Sequence, residues 1–475
     1  MPAPPKLLIL GGGVAGLACA EALSHSGVQI TLLESRKTLG GRASSFLDGP
    51  SGEQLDNCQH VSLGCCTAYE QFARRMKLSH LFHHERLLTF HSPEHGFSRF
   101  PIDRLPSPLH LTRAFWNLKH LTWWQKRQLL SGLWKLMRLK GEQLEQNFDS
   151  WLKASGQSSE LRQRFWDPVI LSALSERTDR TSIKYVQQVF WWSFFAHREG
   201  LCVQIPNVTL SQLYNEHCGN QLESRGVEVV RQARISTLLF REGQIVGAAS
   251  QHGQQWEADH VVLALPYQTT TKLLENGLKE LSSSDQQKVE KLCSQTSQIE
   301  TAPISSVHFW FDRPLTSHRH VVFVDQVSQW LFNRQALLKQ THNTDGTHYY
   351  QVVISASHLH EDLSQQELID QVRAELEQAF PQSQARVMRS RVVKEHRAVF
   401  SPQPGVDLLR PQVGELGQLT TLAGDWTQTD WPATMEGAVR SGLLAANNIA
   451  DRWQLTSIPA IPAYKQEWLP RLLFR

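Results

Sequence analysis

A glycine-rich segment near the N-terminus has the residue types and spacing of a phosphate-binding loop. In GGGVAG, Gly11 permits a tight turn, Gly13 lets the backbone approach a pyrophosphate, and Gly16 lets the next helix pack closely on the preceding strand. Val14 and Ala15 begin that helix, whose free N–H groups and dipole attract phosphate. An ordinary glycine turn does not require a strand before it and a helix after it. The segment therefore predicts a dinucleotide site.

An acidic residue and a second glycine pair extend this predicted site. Glu34 ends the next strand, where its carboxylate can accept hydrogen bonds from ribose hydroxyls. In RKTLGGRASSF, two adjacent glycines precede Arg42, whose guanidinium can make bidentate bonds to the same pyrophosphate. A nicotinamide dehydrogenase does not need this second loop. The residues assigned to this part of the site are Glu34, Ser35, Arg36, Gly40, Gly41 and Arg42.

With both glycine motifs, the chain resembles the FAD-binding family that includes flavin amine oxidases, phytoene desaturases and Rab GDP-dissociation inhibitors. The C-terminal LAGDWTQTDWPATMEGAVRSGLLAA resembles the closing motif of that family, in which an aspartate binds the ribityl or phosphate region. The alternative for Asp425 is a simple helix cap. The resemblance implies FAD as the cofactor and, at Ile235, a backbone contact to adenine. It assigns to the closing motif Gly424, Asp425, Met435, Glu436 and Ala438.

Two segments, LDNCQHVSLGCC and DWTQTDWPATMEGAVRSG, resemble more closely the squalene-associated FAD-dependent desaturases, or hydroxysqualene dehydroxylases. Their pattern reads Asp-Asn-Gly-Gln-His, and here Cys58 replaces the glycine. If the family needs glycine at this position because the backbone has a positive φ angle there, Cys58 would strain the turn. The resemblance implies reduction of hydroxysqualene to squalene by hydride from reduced flavin, in squalene and hopanoid biosynthesis. The reaction consumes the electrons of the flavin. Because the chain has only one dinucleotide fingerprint, we expect an external donor to reduce the flavin again.

The same segment contains the candidate catalytic residues Asp56, Gln59 and His60. Histidine titrates near neutrality and a nearby carboxylate can select its tautomer, so His60 is the candidate proton donor for the departing hydroxyl. The alternative is that these residues only hold a loop. The cation left by an allylic alcohol needs a water-free, electron-rich wall, and Trp426, Trp431 and the Phe190–Phe195 cluster are candidates for the wall or for plain core.

Three other functions are alternatives. An isoprenoid desaturase of the carotenoid or phytoene type would use the same flavin in the opposite redox direction. A non-catalytic binding module of the GDP-dissociation-inhibitor type would have no use for Glu34, Arg42 and Asp425. Amine oxidation is disfavoured because no lysine occurs between Lys291 and Lys339, where amine oxidases place one in a substrate-domain strand. No histidine or acidic cluster has the spacing of a metal site.

The elements that must position these residues indicate an α/β protein. The N-terminus has a strand, turn, helix and strand pattern, the stretch from Gly226 alternates like a β-meander that ends in a buried strand at Val261–Leu265, and Leu419 to Ala446 has a strand, loop and helix pattern. A Rossmann-like FAD-binding domain is therefore built from three pieces. An α+β substrate domain and a helical, membrane-facing insertion lie between them. The predicted segments are 1–64, 201–266 and 413–455 for FAD binding, 65–200 for the helical insertion, 267–412 for the substrate domain and 456–475 for the C-terminal tail.

Composition narrows the cellular setting. Lys plus Arg number 48 against 45 for Asp plus Glu, which gives no general case for nucleic-acid binding. Seven cysteines without a CxxC pair favour a reducing cytoplasm, and no apolar stretch reaches the roughly 20 residues of a membrane span. We therefore expect a cytoplasmic protein, peripheral on the inner face of the cell membrane.

The basis for that peripheral contact is the stretch from Leu109 to Gly141, which contains no acidic residue. Basic residues interleaved with tryptophan suit a membrane interface, where rings lie at headgroup depth and cations meet anionic lipid. The alternative is a solvated basic face over a tryptophan-rich core, and the tail WLPRLLFR could add a second contact. The residues concerned are Arg113, Lys119, Lys126, Arg127, Lys135, Arg138 and Lys140, with Phe115, Trp116, Trp123, Trp124 and Trp134.

Overall fold

The computed structural model describes residues 3–49, 52–338, 346–414, 416–455, 458–462 and 466–474. Over these ranges the strands are β1 (Lys6–Leu10), β2 (Gln29–Leu33), β3 (Ser45–Leu47), β4 (Gln54–Asp56), β5 (Ser62–Leu63), β6 (Phe82–Glu85), β7 (Leu87–Ser92), β8 (Gly96–Pro101), β9 (Val203–Pro206), β10 (Glu228–Val230), β11 (Ile235–Arg241), β12 (Gln244–Ser250), β13 (Gln255–Glu257), β14 (His260–Leu263), β15 (Thr301–Phe311), β16 (His320–Phe323), β17 (Trp330–Asn333), β18 (His348–Ser355), β19 (Val387–Phe400) and β20 (Thr420–Leu422).

Over the same ranges the α-helices are α1 (Val14–Leu23), α2 (Thr67–Arg75), α3 (Thr112–Trp116), α4 (Trp123–Met137), α5 (Phe148–Ala154), α6 (Ser159–Leu161), α7 (Asp167–Leu174), α8 (Ile183–Phe190), α9 (Gly219–Ser224), α10 (Tyr267–Asn276), α11 (Ser283–Thr296), α12 (Arg334–Leu337), α13 (Gln365–Ala379), α14 (Val406–Leu409), α15 (Met435–Trp453) and α16 (Trp468–Leu473).

A five-stranded parallel sheet in the order β10-β2-β1-β14-β20 forms the nucleotide-binding half of the molecule. Its strands come from three separate parts of the chain. Alternate residues of β1 enter two cores: Leu7 and Ile9 pack with α1 and α15, whereas Leu8 and Leu10 pack with β12, α10 and α11. Burial of both faces explains the continuous apolar run of this strand. The predicted α/β class with a parallel nucleotide-binding sheet is confirmed.

Helices α1 and α15 pack against each other on one face of this sheet. A Cβ atom built on Gly442 would lie 2.3 Å from the carbonyl oxygen of Ala15, so the two helices touch backbone to backbone. The N-terminus of α15 is capped by Thr434, whose side chain accepts a hydrogen bond from the Gly437 amide. Close packing at Gly442 therefore ties the C-terminal motif to the N-terminal one.

The substrate half contains a seven-stranded sheet in the order β19-β15-β18-β17-β16-β7-β8. Val307, Phe309 and Phe311 of β15 pack against α13, which begins with a capping box at Ser364. Strands β7 and β8 belong to this sheet although they lie within residues 65–200. The expectation of a largely helical insertion therefore needs correction at 82–101, where β6 pairs with β9 in a separate sheet and β7 pairs with β16 of the substrate sheet.

Helices α3 to α8 form a separate layer around buried Leu129, Leu136, Trp166 and Phe190. None of the helices in the described ranges combines the length and apolar character needed to cross a membrane. Lys126 corrects the prediction that it is one of the cations of a membrane interface: it is 8% exposed, and its Nζ donates to the Trp116 carbonyl oxygen at 2.8 Å. Burial lowers the pKa of this ammonium group. Lys126 therefore joins α4 to α3 and does not face solvent.

Candidate functional site

The glycine loop between β1 and α1 leaves space for a ligand on one side only. Gly11 has φ of 113°, and a Cβ atom there would lie 2.4 Å from the Ala264 carbonyl oxygen. A Cβ atom on Gly16 would lie 2.0 Å from the Gly11 carbonyl oxygen. At Gly13, by contrast, a Cβ atom would have no neighbour within 4 Å. The loop is therefore packed at Gly11 and Gly16 and open at Gly13, beside the amides of α1.

Glu34 ties the first loop to the chain that follows β2. Its Oε2 accepts from the Gly12 amide at 2.9 Å and its Oε1 accepts from the Arg36 amide at 2.7 Å. Ser35 donates its hydroxyl to the same Oε1 at 3.1 Å. The Glu34 carbonyl oxygen accepts from the Ala233 amide at 2.8 Å, which brings the start of β11, and Ile235, toward this corner. The carboxylate thus stands at the end of β2 where a ribose would lie.

The second glycine loop lies directly against the first. The Gly40 amide donates to the Gly12 carbonyl oxygen at 2.8 Å, and a Cβ atom on Gly41 would lie 3.1 Å from the Gly13 Cα. Arg36 donates to the Gly41 carbonyl oxygen at 3.3 Å. These contacts bring the two glycine motifs of the sequence to one place.

Arg42 meets Asp425, although 383 positions separate them in the chain. Arg42 Nη2 donates to Asp425 Oδ1, and Nη1 donates to the Ala398 carbonyl oxygen at 2.7 Å. Asp425 follows Gly424, whose φ of 151° lies in the region that favours glycine. The Gly424 amide donates to Ser441 Oγ at 2.9 Å. The ion pair therefore joins the second loop to the C-terminal motif.

The residues assigned to the start of α15 have different environments. Glu436 is buried, and its two carboxylate oxygens accept from the Ala68 and Tyr69 amides at 3.1 and 2.8 Å. Burial raises the pKa of this carboxyl group, while Arg440 at 2.7 Å opposes the shift. The Glu436 side chain therefore caps α2. Met435 accepts from Tyr214 at its sulfur, and Ala438 is half-buried one turn into α15.

Asp56 is the centre of a buried polar cluster. It is 1% exposed, and its Oδ1 accepts from Ser45 Oγ at 2.6 Å and from the Leu210 amide at 2.9 Å. Its Oδ2 accepts from Arg334 Nη2 at 2.5 Å. Arg334 is itself 1% exposed and also donates to Gln59 Oε1. The side-chain oxygens of Asp56 and Gln59 accept from donors on other segments and so hold the loop in place, and a catalytic role for either residue stays a prediction.

Arg334 is the residue of this cluster that sequence reasoning missed. It stands 278 positions after Asp56, outside any motif. The available signal was a single arginine within the otherwise uncharged SQWLFNRQALL. Buried arginine is rare unless it is paired, so this context indicates a partner without identifying it.

His60 is half-buried and lies next to this cluster. Its Nδ1 is 3.0 Å from the Cys58 carbonyl oxygen, an acceptor, so Nδ1 carries the proton and Nε2 is the free nitrogen of the neutral ring. The backbone, rather than the Asp56 carboxylate, selects the tautomer. Burial lowers the pKa of His60 below its ordinary value of 6.5. His60 thus keeps one ring nitrogen free for proton transfer, and its catalytic role stays a prediction.

Cys58 does not strain its turn, because its φ is not among the positive values. Its thiol packs in the helical-layer core, and burial raises the pKa of that thiol to about 12. The flanking Asn57 donates from Nδ2 to the Arg42 carbonyl oxygen at 3.4 Å. The Asn57 carbonyl oxygen accepts from Ser306 Oγ of β15 at 2.8 Å. The loop from Asp56 to His60 therefore lies between the second glycine loop and the substrate sheet.

The predicted aromatic walls separate into core and surface groups. Trp426 is 3% exposed and packs with the nucleotide-half core, its Nε1 donating to the Leu265 carbonyl oxygen at 3.0 Å. This burial corrects its assignment to a substrate wall. Phe190 is likewise core. Trp431 is half-buried and stacks on Trp192 with ring centroids 6.5 Å apart, and the Arg440 guanidinium lies 5.3 Å from its ring centroid. Trp431 remains the candidate wall.

The residues present fit a flavin dinucleotide. A pyrophosphate suits the open space at Gly13, beside the first amides of α1. Within the described chain, no side chain caps this end of the helix. Glu34, Arg42 and Asp425 surround this corner with the hydrogen-bonding groups that riboses and phosphates need.

Comparisons with known proteins agree with this geometry. The model of the family described as flavin containing amine oxidoreductase matches residues 14–450. The 15-cis-phytoene desaturase of Solanum lycopersicum is 26% identical over 95% of this chain and 79% of its own length. The hydroxysqualene dehydroxylase of Zymomonas mobilis subsp. mobilis is 24% identical over 92% of this chain and 97% of its own. Among solved structures, cyclohexylamine oxidase from Brevibacterium oxydans superposes with a TM-score of 0.65 at 17% identity, over 95% of this chain and 100% of that chain.

Proposed function

Because the chain belongs to the flavin containing amine oxidoreductase family, we propose that this FAD-dependent oxidoreductase reduces hydroxysqualene to squalene. One observation carries the proposal: the Asp-Asn-Cys-Gln-His loop lies between the Arg42 loop and β15, where a bound substrate would meet the cofactor. Similarity to a hydroxysqualene dehydroxylase over nearly the whole of both chains supports it. An external donor supplies the electrons.

Residues from both ends of the chain would bind the cofactor. Gly13 and the amides of α1 would bind the pyrophosphate, Glu34 a ribose, and Arg42 with Asp425 the phosphate and ribityl region. When bound, FAD supplies hydride in its reduced state and accepts hydride in its oxidised state, so it serves either redox direction. The chain's own residues must therefore decide which reaction occurs.

In the proposed reaction His60 protonates the departing hydroxyl of the substrate. Its Nδ1 is held by the Cys58 carbonyl oxygen, which leaves Nε2 to carry and release the proton. A lowered pKa makes the protonated ring a stronger acid, suited to a poor leaving group such as hydroxide. Trp431 and Trp192 would exclude water and face the developing cation with electron-rich rings.

A second candidate is desaturation of an isoprenoid chain of the phytoene type. The similarity to a 15-cis-phytoene desaturase favours it. Both candidates share an extended apolar substrate and the same cofactor, and they differ in the need for a proton donor. A desaturase has no departing hydroxyl, so His60 would have no proton to deliver.

Incubation with each substrate separates the candidates. We expect purified protein with dithionite-reduced flavin to convert hydroxysqualene to squalene, followed by gas chromatography with mass detection. The same protein without dithionite is the control, and it should form no squalene. Conversion of phytoene to a more conjugated polyene with oxidised flavin, and no squalene from hydroxysqualene, would replace the proposal by the second candidate.

The Arg42–Asp425 contact predicts weaker FAD binding in both single variants. We expect Arg42→Ala and Asp425→Ala each to weaken binding by about 10-fold to 100-fold, because each loses a charged hydrogen bond of about 1.5 to 3 kcal/mol. The measurement is the ratio of flavin to protein absorbance after extensive dialysis. Arg177→Ala removes an arginine from an exposed pair and serves as the matched control. Full flavin occupancy in both variants would show that the two residues do not hold the cofactor.

A further inference from the structure

Helix α4 exposes apolar side chains on its solvent side, which is the reverse of an ordinary surface helix. Residues spaced three or four apart form one stripe along it, and Trp124, 71% exposed, stands beside this stripe. We call this surface the α4 face: Trp123, Trp124, Arg127, Leu130, Trp134 and Arg138. The opposite side of α4 buries Leu129 and Leu136, so the helix is folded in place and the exposed rings are not misplaced core.

The α4 face combines these rings with cations. The guanidinium carbons of Arg127 and Arg138 lie 5.7 and 5.1 Å from the ring centroids of Trp124 and Trp134. Both arginines are exposed, unlike Lys126. Because no acidic residue occurs from Leu109 to Gly141, the local charge is positive although the whole chain is nearly neutral. The surface therefore complements an anionic partner.

The C-terminal helix extends the same surface. Trp468 and Leu472 of α16 are exposed, one turn apart. The Phe474 ring packs against Trp134 of the α4 face with centroids 5.4 Å apart, and against Phe195 at 5.3 Å. Glu467 anchors the start of α16 by accepting from the Ser107 amide at 2.7 Å. The two helices are therefore parts of one surface.

A recess of about 420 Å³ opens beside the C-terminal end of the α4 face. Trp134 and Trp151 form apolar walls, and Lys135 and Arg138 line the same recess. The Lys135 ammonium group lies 3.2 Å from the Ser155 carbonyl oxygen at its edge. An apolar wall next to two cations suits a phosphate headgroup with the first carbons of its chains.

We propose that the α4 face and α16 dock on the surface of a membrane that contains anionic phospholipid. Exposed tryptophan prefers the depth of the headgroups, and arginine beside it meets lipid phosphate. Exposed apolar clusters of this kind mark interaction sites, and positive charge selects lipid phosphate as the partner. The surface binds lipid whether or not the enzyme acts on hydroxysqualene, although an apolar substrate would reside in the same membrane.

The test is sedimentation of the full-length protein with vesicles in the absence of substrate. We expect binding to phosphatidylcholine vesicles that contain phosphatidylglycerol, weakening as salt rises, and little binding to phosphatidylcholine alone. The double variant R127E/R138E should bind at least about 30-fold more weakly at low salt, since each cation near an anionic surface contributes a factor of about five and the new carboxylates add repulsion. The double variant K272E/K279E makes the same charge change at exposed lysines elsewhere and should bind like the wild type.

Three results would overturn the proposal. They are no binding at low salt, equal binding to the two kinds of vesicle, and a dimer in sedimentation velocity that W123S/W124S abolishes. The last would assign the surface to a second copy of the chain. Because no substrate is present, failure here leaves the hydroxysqualene proposal standing, and failure of the substrate assay leaves lipid docking standing.

Discussion

Replacing His60 by alanine is expected to leave FAD bound and to slow squalene formation by about 10²-fold to 10⁴-fold, the range for a lost general acid. The expectation rests on geometry: Nδ1 is held by the Cys58 carbonyl oxygen at 3.0 Å, and Nε2 is free to deliver a proton. His60→Gln keeps hydrogen-bonding capacity but cannot be protonated, so it should lose as much rate. Single-turnover kinetics with pre-reduced flavin measure the step directly.

The pH profile separates an acid from a structural residue. Because burial lowers the pKa of His60 below 6.5, the protonated fraction rises as pH falls toward that pKa. The wild-type rate should therefore increase from pH 8 downward through 6.5, and the His60→Ala rate should not.

Burial also lowers the pKa of His110, His120 and His260 to about 4. The fold is therefore stabilised above pH 6.5, where these histidines are neutral, and this stability is lost progressively below pH 6.5. Circular dichroism at each pH of the rate profile must therefore show that the protein is still folded.

His252→Ala is the matched control, because His252 is exposed on a loop. It should keep both the wild-type rate and the wild-type pH profile. An unchanged rate in His60→Ala would assign His60 to loop structure alone.

Replacing Arg334 by methionine is expected to lower the free energy of unfolding by about 3 to 5 kcal/mol, the cost of leaving one partner of a buried ion pair uncompensated. Asp56 and Arg334 are each 1% exposed, and Arg334 also holds Gln59. The loss should appear as a lower midpoint in urea unfolding followed by tryptophan fluorescence.

A second substitution tests the cause. Adding Asp56→Asn to Arg334→Met removes the orphaned charge, so the double variant should be more stable than Arg334→Met alone. Arg177→Met breaks an exposed pair with Asp179 at 2.7 Å and should cost at most about 1 kcal/mol. Equal losses for Arg334→Met and Arg177→Met would contradict the assignment of a buried, structurally essential pair.

Patterns among residues close together in the sequence were sufficient to predict the fold class and much of the nucleotide site. The glycine spacing between β1 and α1, and Glu34 at the end of β2, are local features, because a strand, a tight turn and a helix impose their own periodicities on neighbouring residues. The α/β class and a dinucleotide site could therefore be predicted from residues close together in the chain, and the family resemblance of the motifs at both ends of the chain implied FAD. Asp425 was also predicted, but as part of a motif rather than as the partner of Arg42.

Tertiary structure decided the contacts that join distant residues. It paired Arg42 with Asp425 and Arg334 with Asp56, added β7 and β8 to the substrate sheet, and buried Lys126 and Trp426. A residue's type does not reveal its partner when hundreds of positions intervene, and a helical or alternating pattern does not tell which neighbour covers a face. Burial and charge pairing depend on that neighbour, because a side chain is desolvated by the residues that pack against it. Only the folded chain brings those residues into contact.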